Sequence, residues 1–156
     1  MALTAAQIHG FSQSLLQRNY DSPMPTPDFH LEMWGMFCGD DAQVACAAPR
    51  GHAKSTAITH AFTLASVLFR ERRFVVIVSN TEAQSANFLG DIKTELVENE
   101  DLRELFGVKR FLKETETEVV CQLEDGHTFR IIAKGSEQKL RGLQWRNKRP
   151  DLVVGD

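Results

Sequence analysis

Cysteine is scarce in this sequence, and the three present, Cys38, Cys46 and Cys121, have no metal-ligand spacing. That excludes a zinc ribbon or finger framework. Two of them lie in apolar runs, which reads as buried reduced thiols of an intracellular protein. No apolar run reaches membrane-spanning length. The first residues lack a basic region followed by an apolar block, so no secretory signal is expected. Charge of one sign is not in excess: 18 Lys and Arg stand against 21 Asp and Glu, a net −3, so the whole chain carries no nucleic-acid footprint. There is no internal repeat and no low-complexity tract. His30, His52, His60 and His127 form no metal spacing. What remains is ordinary globular material: 156 residues, 42% apolar and 25% charged, enough for one domain with a sizeable core.

One stretch stands out, Ala47-Ala48-Pro49-Arg50-Gly51-His52-Ala53-Lys54-Ser55-Thr56. The apolar run 44–48 before it suits a short buried strand. After it, Ile58, Ala61, Phe62, Ala65 and Leu68 recur at helical spacing. A strand, a tight turn and a helix opening with Lys-Ser form the context of a phosphate-binding loop. Backbone N–H groups and the positive helix end would face phosphate oxygens. Lys54 would lie on the β- and γ-phosphates, and the Ser55 hydroxyl would ligate Mg²⁺. Measured against G-x-x-x-x-G-K-[ST], both glycine positions carry alanine, Ala48 and Ala53, and Gly51 sits inside the loop.

Around this loop the elements alternate. Thr4-Ala5-Ala6-Gln7 reads as a capping box opening a helix to about Tyr20, with Ile8, Phe11 and Leu15 on one face. Residues 21–27 hold three prolines and form an extended connector. Asp28 can cap a second helix with Leu31, Trp34 and Phe37 on one side and Gly39 past its end. Residues 74–78 are continuously apolar and mostly β-branched, as in a parallel strand buried on both faces. Residues 82–99 read as a helix with Leu89, Ile92 and Leu96 inward, and a short helix covers 102–106. Strands at 119–123 and 128–133 flank Glu124-Asp125-Gly126-His127, a hairpin signal. Glu114, Glu116 and Glu118 read as an exposed strand edge. Lys134, Lys139, Arg141, Arg146, Lys148 and Arg149 face the single acid Glu137 across residues 134–149. That segment reads as a solvated loop near nucleotide phosphates, with DNA phosphates as the other reading.

The last segment, Pro150-Asp151-Leu152-Val153-Val154-Gly155-Asp156, looks like a buried strand delivering a carboxylate to the sheet's C-terminal edge. In phosphate-loop ATPases such a Walker B acid holds Mg²⁺, usually through water. Together these features resemble the N-terminal ATPase region of phage terminase large subunits, the motors that package DNA into procapsids. The resemblance rests on Phe29-His30, the loop APRGHAKST, and the strand ending Val78-Ser79-Asn80-Thr81 with Gln84 and Ala86 following. It continues in Leu140-Arg141-Gly142 and in Arg149-Pro150 running on to Asp156.

The resemblance implies an α/β P-loop NTPase fold of the ASCE type. Its sheet would be central, mainly parallel and flanked by helices, with a β-hairpin added and the C-terminal strands missing. Residues 1–40 would be a helical lead-in and 41–156 an incomplete ATPase core. ATP and Mg²⁺ would be bound by Pro49, Arg50, Gly51, His52, Ala53, Lys54, Ser55 and Thr56. Arg50 would touch the γ-phosphate, and Ser55 and Asp156 would serve the metal. Arg141 is the candidate arginine finger supplied to a neighbouring subunit, with Arg146 and Arg149 as rivals. Phe29 and Trp34 would either flank the adenine or pack the core, the second being favoured. The complete protein would be an ATPase working in the host cytoplasm. Its partners would be double-stranded DNA, a portal protein, a small terminase subunit and identical subunits in a ring, with no membrane. Terminases carry a water-activating carboxylate after the Walker B acid, and this sequence stops at Asp156. The chain alone is therefore expected to bind nucleotide without efficient turnover. A helicase-like ATPase fragment and a non-hydrolysing nucleotide-binding or scaffold fragment are the alternative readings.

Overall fold

Thr4 opens the first helix, as its spacing to Gln7 predicts. The Thr4 hydroxyl accepts the Gln7 N–H at 3.2 Å, and the Gln7 side chain accepts the Thr4 N–H at 2.9 Å, a complete capping box. The computed structural model describes residues 3–21 and 23–156, so Ser22 of the expected connector lies outside the described residues. The chain divides into two units, Met1–Glu71 and Arg72–Asp156.

In the first unit, α1 (Ala5–Phe11) runs on through a wide π-helical turn, Ser12–Leu16, and a 3₁₀ turn, Gln17–Asn19. Ile8, Phe11 and Leu15 are buried, as their periodicity predicts. The second helix, α2 (Asp28–Phe37), corrects two expectations. Asp28 is its first residue, not its cap; Pro27 holds the cap position at φ −71° with no side-chain bond to offer. The buried residues are His30, Met33 and Trp34, while Leu31 and Phe37 are half-buried. A helical run over 54–68 follows, π-helical across Thr56–Phe62 and regular in α3 (Thr63–Leu68). Every residue of α3 is buried, the mark of a core helix.

The strand expected over 44–48 is not formed. These residues carry no regular structure, with Val44, Cys46 and Ala48 half-buried and Ala45 and Ala47 exposed. An apolar strand buried on both faces needs a ladder partner for its backbone groups. Among the described residues no ladder includes any of residues 44–48.

In the second unit, five strands form one sheet in the order β2-β3-β4-β1-β5. They are β1 (Phe74–Ser79), β2 (Val108–Glu114), β3 (Glu118–Leu123), β4 (Thr128–Gly135) and β5 (Leu152–Gly155). β1 is parallel to both neighbours, and Val75, Val76, Ile77 and Val78 face Leu152, Val153, Val154 and Gly155 of β5. The β3–β4 and β2–β3 ladders are antiparallel. The sheet is thus mixed, two parallel and two antiparallel ladders, not mainly parallel. The reason is that the Asp-Gly hairpin builds β3 and β4 into the same sheet as β1, and β2 extends it. Helix α4 (Glu82–Glu98) is capped by Thr81, whose hydroxyl accepts the Gln84 N–H at 3.2 Å. It packs on β1 and β4 with Leu89, Ile92 and Leu96 fully buried. The short α5 (Glu100–Phe106) is capped by Asn99 and stopped by Gly107 at φ +67°. On the sheet, Phe74, Val76 and Ile132 form a cluster against which Leu143 and Trp145 pack.

Cys121 is fully buried and burial pushes its thiol up to about 12, so it matches the inert buried thiol expected of it. The acidic run is not simply an exposed edge. Glu118 starts β3 and bonds Lys113 at 2.6 Å and the Arg130 guanidinium. Burial pushes the Glu118 carboxyl up, but the hydrogen bonds and charges of Lys113 and Arg130 outweigh it and hold it below the usual range. A depressed native pKa contributes stability above the unfolded value of about 4.3 and loses it as pH falls through the native value. Glu118→Gln is therefore expected to remove about 0.5–1 kcal/mol at neutral pH, the half-exposed Lys113 limiting the gain. It should also flatten the acid limb of a stability-against-pH curve measured by urea melts. An unchanged acid limb would remove Glu118 as its source.

Candidate phosphate-binding loop

The loop belongs to the first unit, and its local order comes from α2. His30 and Trp34 are one helical turn apart, so both side chains leave α2 on the same face. His30 Nε2 lies 2.9 Å from the His52 carbonyl, and Trp34 Nε1 donates to the Ala57 carbonyl at 2.8 Å. A carbonyl only accepts, so His30 carries its proton on Nε2 in this contact. His52 Nδ1 lies 3.3 Å from the Arg50 carbonyl, and the Ala57 N–H closes on the Ala53 carbonyl at 3.0 Å. Phe29 stacks at a tilt on His52, ring centroids 5.4 Å apart.

The carbonyls of Arg50, His52 and Ala53 are therefore engaged as acceptors. The N–H groups of Lys54, Ser55 and Thr56 fall in the first turn of the helical run, where the helix itself supplies no acceptor. Among the described residues no other bond from them is recorded. Residues 49–53 are exposed, and Lys54, Ser55 and Thr56 are half-buried. No hydrogen bond or ion pair from the Lys54 ammonium or the Arg50 guanidinium is recorded among the described residues. The arrangement offers positive charge and free donors to an oxyanion.

Two loop residues have left-handed backbones, Gly51 at φ +82° and Ala53 at φ +52°. Glycine adopts that region freely; an alanine there costs about 1 kcal/mol or somewhat more. Ala53 stands where the phosphate-loop pattern has glycine, and its backbone takes the glycine-like conformation nonetheless. Ala53→Gly is expected to raise stability by about 0.5–1 kcal/mol, the relief of the strained φ exceeding the entropy glycine adds to the unfolded chain. A urea midpoint equal to or below that of the unsubstituted protein would show that the loop does not hold this conformation.

No protein-family model matches the chain, and no curated protein matches it.

The remaining predicted residues lie in the second unit. β5 ends at Gly155, and the Asp156 N–H donates to the Val78 carbonyl at 2.8 Å, one step past the strand. Because β5, β1 and β4 are parallel, Asp156 shares the C-terminal edge of the sheet with Ser79 and Gly135. Arg141 and Arg149 are exposed and have no recorded side-chain partner among the described residues. Arg146 is engaged: its guanidinium lies 4.8 Å over the Trp145 ring at the tip of a tight turn. That turn has Arg146 and Asn147 at φ +52° and +61°, and Trp145 and Lys148 exchange two backbone bonds of 2.9 Å. Trp34 is 1% exposed, which settles it as a core residue, while Phe29 is half-buried. Among the described residues no three His, Cys, Asp or Glu side chains gather where a metal ion could sit, and no helix is long and apolar enough to cross a membrane. A Mg²⁺ ion held by a hydroxyl, phosphate oxygens and water needs no such gathering.

The hydrogen bonds of His30 and Trp34 escaped sequence reasoning. The available signal was their i, i+4 spacing just ahead of the loop, two polar aromatic groups on an otherwise apolar face.

Proposed function

We propose that this chain is the nucleotide-binding part of an ATP-driven motor of the terminase large-subunit type. The observation that supports the reading best is the loop at residues 50–56: carbonyls tied back, first-turn N–H groups without partners, and Lys54 uncommitted beside them. An anion of phosphate geometry fits that donor set. In this reading Lys54 binds the β- and γ-phosphates, Arg50 the γ-phosphate, and the Ser55 hydroxyl belongs to the Mg²⁺ shell with Asp156 acting through water. Mg²⁺ would neutralise charge on the phosphates. Pro49, Gly51, His52, Ala53 and Thr56 shape the loop around them. Arg141 is the finger offered to a neighbouring subunit, a role its exposure allows and one that Arg149 shares as a candidate. The complete motor would be an ATPase acting in the host cytoplasm on double-stranded DNA, with a portal protein, a small terminase subunit and copies of itself. Titration of Mg²⁺-ATP into the protein and its Lys54→Ala variant tests the reading, and equal affinity ends it.

A further inference from the structure

We infer that His30 is a positioning residue that sets the loop's anion-binding conformation from outside the loop. The inference rests on the phosphate-loop reading for its purpose, but its geometry stands by itself. An anion site in a loop needs the N–H groups turned outward and the carbonyls turned away, since each exposed carbonyl repels the ligand. His52 is the central residue of 50–54, and among the described residues its carbonyl is the one in this loop that a side chain of another element ties back. That side chain is buried, with His30 only 8% exposed, and it rises from a regular helix that a second bond, Trp34 to Ala57, fixes to the helical run after the loop. The loop is thus held on both sides of Ala53, the residue whose left-handed backbone reverses the chain. Releasing the His52 carbonyl would let the peptide following it turn, and Ala53, strained where it stands, would gain by returning to negative φ. The buried histidine is what opposes that relaxation.

The replacement series follows from where the proton sits. Glutamine places an N–H at the reach of Nε2; asparagine reaches only the Nδ1 position; leucine has no donor. His30→Leu and His30→Asn are expected to speed hydrogen exchange of the Ala57 amide, which bonds the Ala53 carbonyl, by about tenfold or more and to weaken Mg²⁺-ATP binding roughly tenfold, the equivalent of one lost positioning bond. His30→Gln should stay within about twofold of the unsubstituted protein on both readouts. A merely structural role would show as lower global stability in all three variants with no glutamine rescue, and that pattern overturns the inference, as does unchanged exchange in the leucine and asparagine variants. Should His30→Leu fail to fold, the glutamine and asparagine pair decides. If Lys54→Ala leaves ATP affinity unchanged, the phosphate reading falls, and the exchange measurement alone decides whether His30 holds the loop.

Discussion

Replacing Lys54 by alanine is expected to weaken Mg²⁺-ATP binding by roughly 10–100-fold while leaving the urea midpoint within about 0.5 kcal/mol of the unsubstituted protein. The magnitude comes from the bond that would be lost. A hydrogen bond to a charged partner is worth about 1.5–3 kcal/mol, and each 1.4 kcal/mol is tenfold in affinity. The stability half of the expectation comes from the structure. Lys54 is half-buried at the first turn of the helical run, its ammonium has no recorded partner among the described residues, and alanine is the better helix former. A lysine kept for structure would do the reverse, lowering the midpoint and leaving affinity alone. Calorimetric titration and urea melts on the same two samples separate these outcomes.

The second unit was more legible in the sequence than the first, for a physical reason. Residues 74–78 could be read as a strand buried on both faces because they are continuously apolar and mostly β-branched, and β1 does have a parallel neighbour on each side. The Asp125-Gly126 turn and the Leu89, Ile92, Leu96 stripe are equally local signals, and each fixed its element. β2 was missed because its register with β3 shifts twice, between Val108 and Arg110 and between Phe111 and Lys113. Those irregularities break the alternation that a strand normally shows. Its apolar residues, Val108, Phe111 and Leu112, are spaced i, i+3, i+4, a helical spacing and not a period of two.

The run 44–48 failed in the opposite way. Locally it has a strand's composition, but a strand exists only by pairing, and pairing is not written in five residues. β5 forms from a shorter run, Leu152 to Val154, because the adjacent edge of β1 receives it, but it is an edge strand with Val154 alone buried and not the buried strand expected. At the loop, residue types led to the proposal of a phosphate site even with alanine at both glycine positions. What they did not reveal is that Ala53 would take the left-handed backbone anyway, since the bonds that flank it come from His30 and Trp34, 22 and 23 residues before their partners His52 and Ala57.

The largest loss of stability is expected from Asp151→Ala. Asp151 precedes β5, and all of its polar groups are committed to the start of β1. Its carboxylate accepts the N–H groups of Arg73 at 2.9 Å and Phe74 at 3.0 Å. Its N–H donates to the Phe74 carbonyl at 2.9 Å, and its carbonyl accepts from the Arg72 guanidinium at 2.9 Å. Alanine keeps the two main-chain contacts and loses both carboxylate bonds, a cost of about 2–3 kcal/mol at a partly exposed site. Asparagine keeps one acceptor oxygen and should lose about half as much. The effect reaches Asp156 through register. β5 is a four-residue edge strand with one neighbour, and its central Val153 is 59% exposed, so little apolar burial holds it in place. Slipping β5 by one residue against β1 would exchange its two faces and carry Asp156 about 3.3 Å along the edge. Urea melts should place the alanine variant lowest and the asparagine variant between it and the unsubstituted protein. Hydrogen exchange should show the Asp156 amide, bonded to Val78 at the far end of the strand, losing protection along with the β5 amides. An alanine variant as stable as the unsubstituted protein would mean that the parallel ladder alone fixes β5, and that Asp151 does not set the position of Asp156.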